Sequence, residues 1–227
     1  TLPDKMGHTA HGQHPEGGHN PWIRRAVLNR AHIRKFFFKP LLMPHAVPLE
    51  VREQSIEGYL QGWLLGGKDQ LAEKGSEKYR QPKLEELLFF DEEILKPLIA
   101  IMNTGYSEGE WSQEGMEELA SIAHAAKLMR YRIVRYHHKM SGEDYIILME
   151  SGAPLERAYR GTYVFRLGDA DDYLIQIPRP LAELRVLEYG IFLFEKLNAG
   201  ALLISGAHKI ANRDGSADII RVQNKEN

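Results

Sequence analysis

Two segments in the C-terminal third carry residue types that could do chemistry at meaningful spacings. The first is Arg179-Pro-Leu-Ala-Glu183, read as a strand-to-helix junction. Residues i and i+4 share a helical face, so the side chains at 179 and 183 would meet there. A histidine and a carboxylate at that spacing would suit Zn²⁺. Arg179 does not, because a guanidinium stays protonated and has no lone pair to give. The pair reads instead as a salt bridge or as an anion grip at a helix N-terminus.

The second segment is the loop His208–Asp218, in which Asn212, Asp214, Ser216 and Asp218 alternate oxygens around Gly215. The order Asp-x-Ser-x-Asp starts like a Ca²⁺ loop. The twelfth position holds Lys225 rather than a bidentate glutamate, so a standard EF-hand is rejected. His208 could be a general base or a metal ligand oriented by a carboxylate. The competing reading is a turn network, with Asn and Asp side chains bonding backbone amides.

These segments need a scaffold, and alternation and periodicity supply one. Strands are expected at Thr162–Leu167, Tyr173–Ile177 and Ala201–Ser205, with a helix over 181–197. Upstream, Tyr131–His138 and Asp144–Glu150 read as a hairpin around Ser141-Gly142, after a helix capped by Ser112 and running to Met129. The fold class is therefore α/β, a mixed sheet with flanking helices. Its antiparallel pairs should be 131–138/144–150 and 162–167/173–177. The strand 201–205 should run parallel to 173–177 through the intervening helix, as a right-handed crossover. Ligands in such sheets sit past the carboxyl ends of strands, where both segments lie. His137 and His138 are adjacent on a strand, so they point to opposite faces and do not converge on one metal.

Three regions are expected overall. Residues 1–21 form a flexible Gly- and His-rich tail; its His8, His11, His14 and His19 have metal-compatible spacing but nothing to fix them. Residues 22–105 form a helical lobe. It holds a helix over Pro48–Leu65 ended by Gly66-Gly67, a short exposed helix over 68–78, and a two-part helix over 82–102 kinked by Pro97. Residues 106–227 form the α/β domain; the chain stops there in a polar stretch, so part of that domain would lie beyond it. The lobe opens with the basic, aromatic stretch Trp22–Lys39. Its Trp22, Arg24, Arg25, Arg34 and Lys35 suit a solvated helix face, an anionic membrane surface or a partner's groove. A net charge of -2 argues against a general nucleic-acid binder. The absence of cysteine excludes disulfides, thiolate metal sites and a cysteine nucleophile.

Gly161-Thr-Tyr-Val-Phe, Ile177-Pro-Arg-Pro-Leu181 and the run Leu202-Leu-Ile-Ser-Gly-Ala-His-Lys-Ile-Ala-Asn-Arg-Asp-Gly-Ser-Ala-Asp218 together resemble a bacterial group of hydrolases. That group is distantly similar to zinc carboxypeptidases and polyglutamate hydrolases. Its members tend to read His-Pro-Leu-x-Asp and Ala-Gly-Ala-His-Arg at these places. The resemblance covers about residues 145–222. It implies zinc as cofactor and metal-ligand positions at Arg179, Glu183 and His208, with Glu183 and His208 also the catalytic candidates. The first ligand position is replaced by arginine.

The leading expectation is a divergent metallo-hydrolase-like domain of low or no activity that acts as a binding or structural subunit, with a protein partner. One alternative is an active metal-dependent amide hydrolase using Glu183, His208, Asp214 and Asp218. Another is a membrane-surface subunit of a larger complex, anchored by residues 22–39. The sequence does not fix the compartment; a periplasmic, extracytoplasmic or membrane-peripheral location is slightly favoured.

Overall fold

The computed structural model describes residues 55–220, which belong to one compact unit. Among them, six strands form one mixed sheet: β1 (Ser55–Gly58), β4 (Tyr131–His138), β5 (Asp144–Glu150), β6 (Thr162–Arg166), β7 (Asp171–Ile177) and β8 (Ala199–Ile204). Two-residue strands β2 (Tyr106–Ser107) and β3 (Glu110–Trp111) pair separately. The helices are α1 (Leu60–Gly66), α2 (Leu84–Phe89), α3 (Lys96–Thr104), α4 (Gln113–Leu128) and α5 (Val186–Lys196).

The sheet order is β1-β4-β5-β6-β8-β7. The expected hairpin is present: β4 and β5 pair antiparallel, from Tyr131 opposite Glu150 to His137 opposite Asp144. The expected parallel pair is present too, with β7 and β8 joined through α5 and Leu174 opposite Ala201. The antiparallel pairing expected between 162–167 and 173–177 is not made. β8 inserts between them, so Thr162 lies opposite Ile204 and Phe165 opposite Ala201. Burial explains the choice. β8 is uncharged and Val164, Phe165 and Arg166 of β6 are buried, whereas β7 starts with exposed Asp171 and Asp172, which suit a protected edge.

Helices cover both faces. On one, Leu60 and Leu64 of α1 and Leu187, Ile191 and Phe194 of α5 pack on Val134, Ile147, Val164 and Leu202. On the other, the Phe90 ring lies 5.4 Å from Tyr131 and 5.2 Å from Tyr163, and α4 packs on β4. Ser112 caps α4 as expected, its Oγ accepting the Gly115 amide at 3.0 Å. The two-part helix is also present. α2 and α3 are joined by a π-helical stretch, Phe90–Leu95, immediately before Pro97. Proline lacks the amide that a regular helix would use there, and one wider turn absorbs the mismatch.

Three local expectations change. Ser55–Gly58, expected as helix, is a strand parallel to Arg135–His138, and the helix starts at Leu60. The region expected to be a helical lobe therefore contributes to the sheet. Residues 68–78 form only a 3₁₀ turn, Lys68–Gln70, and then an irregular stretch with a turn at 74–75 and with Gly75 and Glu77 at positive φ. Their backbone is satisfied by a distant loop. The Ala72 amide donates to Gly206 O, His208 N–H to Ala72 O, Gly75 N–H to Ile210 O and Glu77 N–H to Ala211 O. The helix expected over 181–197 begins only at Val186, after Arg185 in the left-handed conformation at φ 57°.

Candidate functional site

The late start of α5 changes the first candidate. Residues 180–185 form turns, so Arg179 and Glu183 do not share a helical face and Arg179 is not at a helix N-terminus. Arg179 instead grips Asp218. Nε donates to Oδ1 at 3.2 Å, and Nη2 donates to Oδ1 at 3.1 Å and to Oδ2 at 2.9 Å. Glu183 Oε1 is 4.0 Å from Arg179 Nη1 and its side chain is 55% exposed, so it is a weak outer partner. The Arg179 guanidinium holds the Asp218 carboxyl below its ordinary pKa.

The second candidate is a turn network docked on another segment. Asn212 Nδ2 donates to Tyr79 O at 2.7 Å and to Ser216 Oγ at 2.9 Å. Asp214 Oδ1 accepts the Ser216 amide at 2.9 Å, an Asx turn. Ala207, Ala211 and Ala217 are buried with Ala72, Tyr79 and Tyr159, so the small residues of the loop form a satellite core. His208 Nδ1 accepts the Ile210 amide at 3.1 Å, which places the proton of the neutral ring on Nε2. Burial, then the charges of Lys74 and Lys209, lower its pKa and favour that neutral form.

These residues do not fit the zinc that the sequence resemblance implies. The first ligand position is a donor-only arginine bonded to Asp218. Glu183 lies beside that arginine, and His208 uses Nδ1 within its own turn. Among the described residues, no group of three or more His, Asp or Glu side chains could hold a metal ion. The expected ligand pair Glu183 and His208 is therefore not assembled into a metal site. Asn212, Asp214 and Ser216 hold the loop, and Asp218 holds the Arg179 guanidinium.

Two arrangements escaped the sequence reading. At the far end of the β4–β5 hairpin, His137 Nδ1 lies 2.8 Å from Asp144 Oδ1, while Tyr106 OH donates to Asp144 Oδ2 at 2.7 Å. The hairpin register contained the signal, because His137 and Asp144 are cross-strand neighbours. Tyr106 could not be found that way, since it comes from β2. Burial, then the Asp144 carboxylate, raises the Tyr106 pKa well above 10.0.

The other arrangement is a pocket of about 370 Å³ at the end of the sheet where β5 and β8 finish, under α1 and α5. Cationic Lys68, Arg132 and Arg157 line it together with apolar Trp63, Leu187 and Ile204. Gly161 and Gly206 form part of its wall. Gly161 has φ 116°, and a Cβ at either glycine would strike backbone of the opposing segment. The sequence could not reveal this site, because its members come from α1, α5, four strand ends and the 151–161 loop.

Residues Trp22, Arg24, Arg25, Arg34 and Lys35, and the histidine-rich tail, lie outside the described residues. Among the described residues, no helix is long and apolar enough to cross a membrane. No family model, curated protein or solved structure matches the chain.

Proposed function

We propose that this chain is a divergent, hydrolase-like α/β domain that works without a zinc centre and serves as a binding or structural subunit. The observation that supports this reading most is the two-pronged bond of Arg179 to Asp218. At the position where the resembling hydrolases place a metal-ligating histidine, this chain places a cation. That cation repels a metal ion and is neutralised by a carboxylate of the neighbouring loop. A protein partner is the proposed binding target. Exposed Leu184, Tyr189 and Phe192 support it, with the last two rings stacked at 6.4 Å on α5.

Metal content of the purified chain, measured by mass spectrometry beside an Arg179→His variant, tests the reading. Less than a stoichiometric amount of zinc is expected in wild type. Zinc in the variant alone would identify a hydrolase site that has decayed in place. About one zinc per wild-type chain would overturn the proposal.

A further inference from the structure

The pocket beneath α1 joins two surfaces of opposite character. Trp63, Leu187 and Ile204 give it an apolar wall continuous with the core, and Lys68, Arg132 and Arg157 bring three cations to it. Its one lining carboxylate, Glu150, is turned to the loop: its two oxygens accept the amides of Tyr159 at 2.7 Å and Arg160 at 2.9 Å. Arg157 donates to two neutral oxygens, Gly152 O at 3.1 Å and Gln70 Oε1 at 3.0 Å, and its charge acts on the Glu150 carboxyl. Lys68 meets Glu188 at 3.6 Å, a long and exposed pair. Arg132 is engaged with Met149 Sδ at 3.5 Å. Burial and then the charge of Arg157 lower the Arg132 pKa.

This arrangement selects a ligand class. Three lining cations beside one lining carboxylate favour acids over metal ions. A volume of about 370 Å³ suits a small molecule. An apolar wall beside guanidinium and ammonium groups suits an acid with an apolar body. We propose that this pocket binds a small amphipathic organic anion, with its acidic group held by Arg157 and Lys68 beside Arg132 and its apolar body against Trp63, Leu187 and Ile204. The inference rests on the binding role proposed above and adds the chemistry of a ligand. It uses none of the ligand positions Arg179, Glu183 and His208 that the hydrolase resemblance implies.

Calorimetric titration of the full chain with octanoate, octyl phosphate, octanol and inorganic phosphate tests it. Octanoate or octyl phosphate should bind, and the tighter of the two identifies the acid as carboxylate or phosphate. Octanol, with the same tail and no charge, should bind at least about tenfold more weakly. Arg157→Gln should weaken the acid by about tenfold or more and leave octanol unchanged. Lys68→Gln, at an exposed side chain, carries the same expectation should the first variant fold poorly. Gly62→Met should block both ligands without loss of thermal stability, because a Cβ at Gly62 meets nothing within 4 Å and this glycine lines the pocket. Equal binding of octanoate and octanol, indifference to both charge removals, or no binding of either acid at millimolar concentration would overturn the proposal. So would inorganic phosphate binding as tightly as octyl phosphate. Zinc in the wild-type chain would remove the metal-free hydrolase-like reading without affecting these results, and absence of acid binding would leave the metal measurement standing.

Discussion

The guanidinium of Arg166 lies between the rings of Tyr145 and Phe194, 5.1 Å from each centroid, and ion-pairs with Glu143 across the β4–β5 turn. Arg166 is 3% exposed, the one buried charged residue among the described residues. Its Nε donates to Ala199 O at 3.2 Å, at the start of β8, and its Nη2 to Phe194 O at 3.3 Å, in the last turn of α5. One side chain thus ties the hairpin, the crossover helix and the start of β8 together.

Removing only one partner should be severe, because it leaves the other charge dehydrated and unpaired. Arg166→Met and Glu143→Gln should each destabilise the fold, the first by about 3–5 kcal/mol and the second by less, since Glu143 is more exposed. The double variant should lose clearly less than the sum. Urea denaturation of the four proteins measures this, and additive losses would show that the two charges are not coupled.

The Arg179–Asp218 pair predicts an acid-side dependence. The bond from Arg179 lowers the Asp218 pKa below its ordinary 3.8. The folded state therefore binds that proton less readily than the unfolded chain, and the contribution is complete above the unfolded value. It should fade as pH falls through the folded value. Asp218→Asn should flatten this part of the stability profile and cost about 1 kcal/mol at neutral pH. Carbon-detected NMR titration of the Asp218 carboxyl checks the direction; a midpoint at or above 3.8 would contradict it.

Helix α4 offers a case in which packing outweighs propensity. Alanine is normally worth about 1 kcal/mol more than glycine inside a helix. At Gly115, however, a Cβ would lie 2.8 Å from Gly105 O and 2.9 Å from Gly105 Cα. Backbone stands on both sides, so neither can yield cheaply. Gly115→Ala should therefore destabilise, by about 1–3 kcal/mol after the propensity gain is included. A raised melting temperature would show that the α3–α4 junction relaxes freely.

What the sequence determined by itself is local. Alternation in Tyr131–His138 and Asp144–Glu150 with a Gly-containing turn gave the hairpin, Ser112 gave the start of α4, and the strand–helix–strand pattern gave the parallel pair β7 and β8. It also gave the turn-forming character of Asn212, Asp214 and Ser216. These features depend on contacts within a few residues or on short connections, where propensity and capping dominate. Tertiary structure decided the rest. β8 displaced β7 from β6 because a strand with three buried residues needs an apolar neighbour. Residues 71–77 stayed out of a helix because the 206–211 loop supplied their hydrogen bonds. Arg179 found Asp218 across 39 residues of chain, and the cationic pocket drew its lining from α1, α5, four strand ends and a loop. No local pattern encodes such meetings; they follow only after the sheet order has fixed which ends of the strands lie side by side.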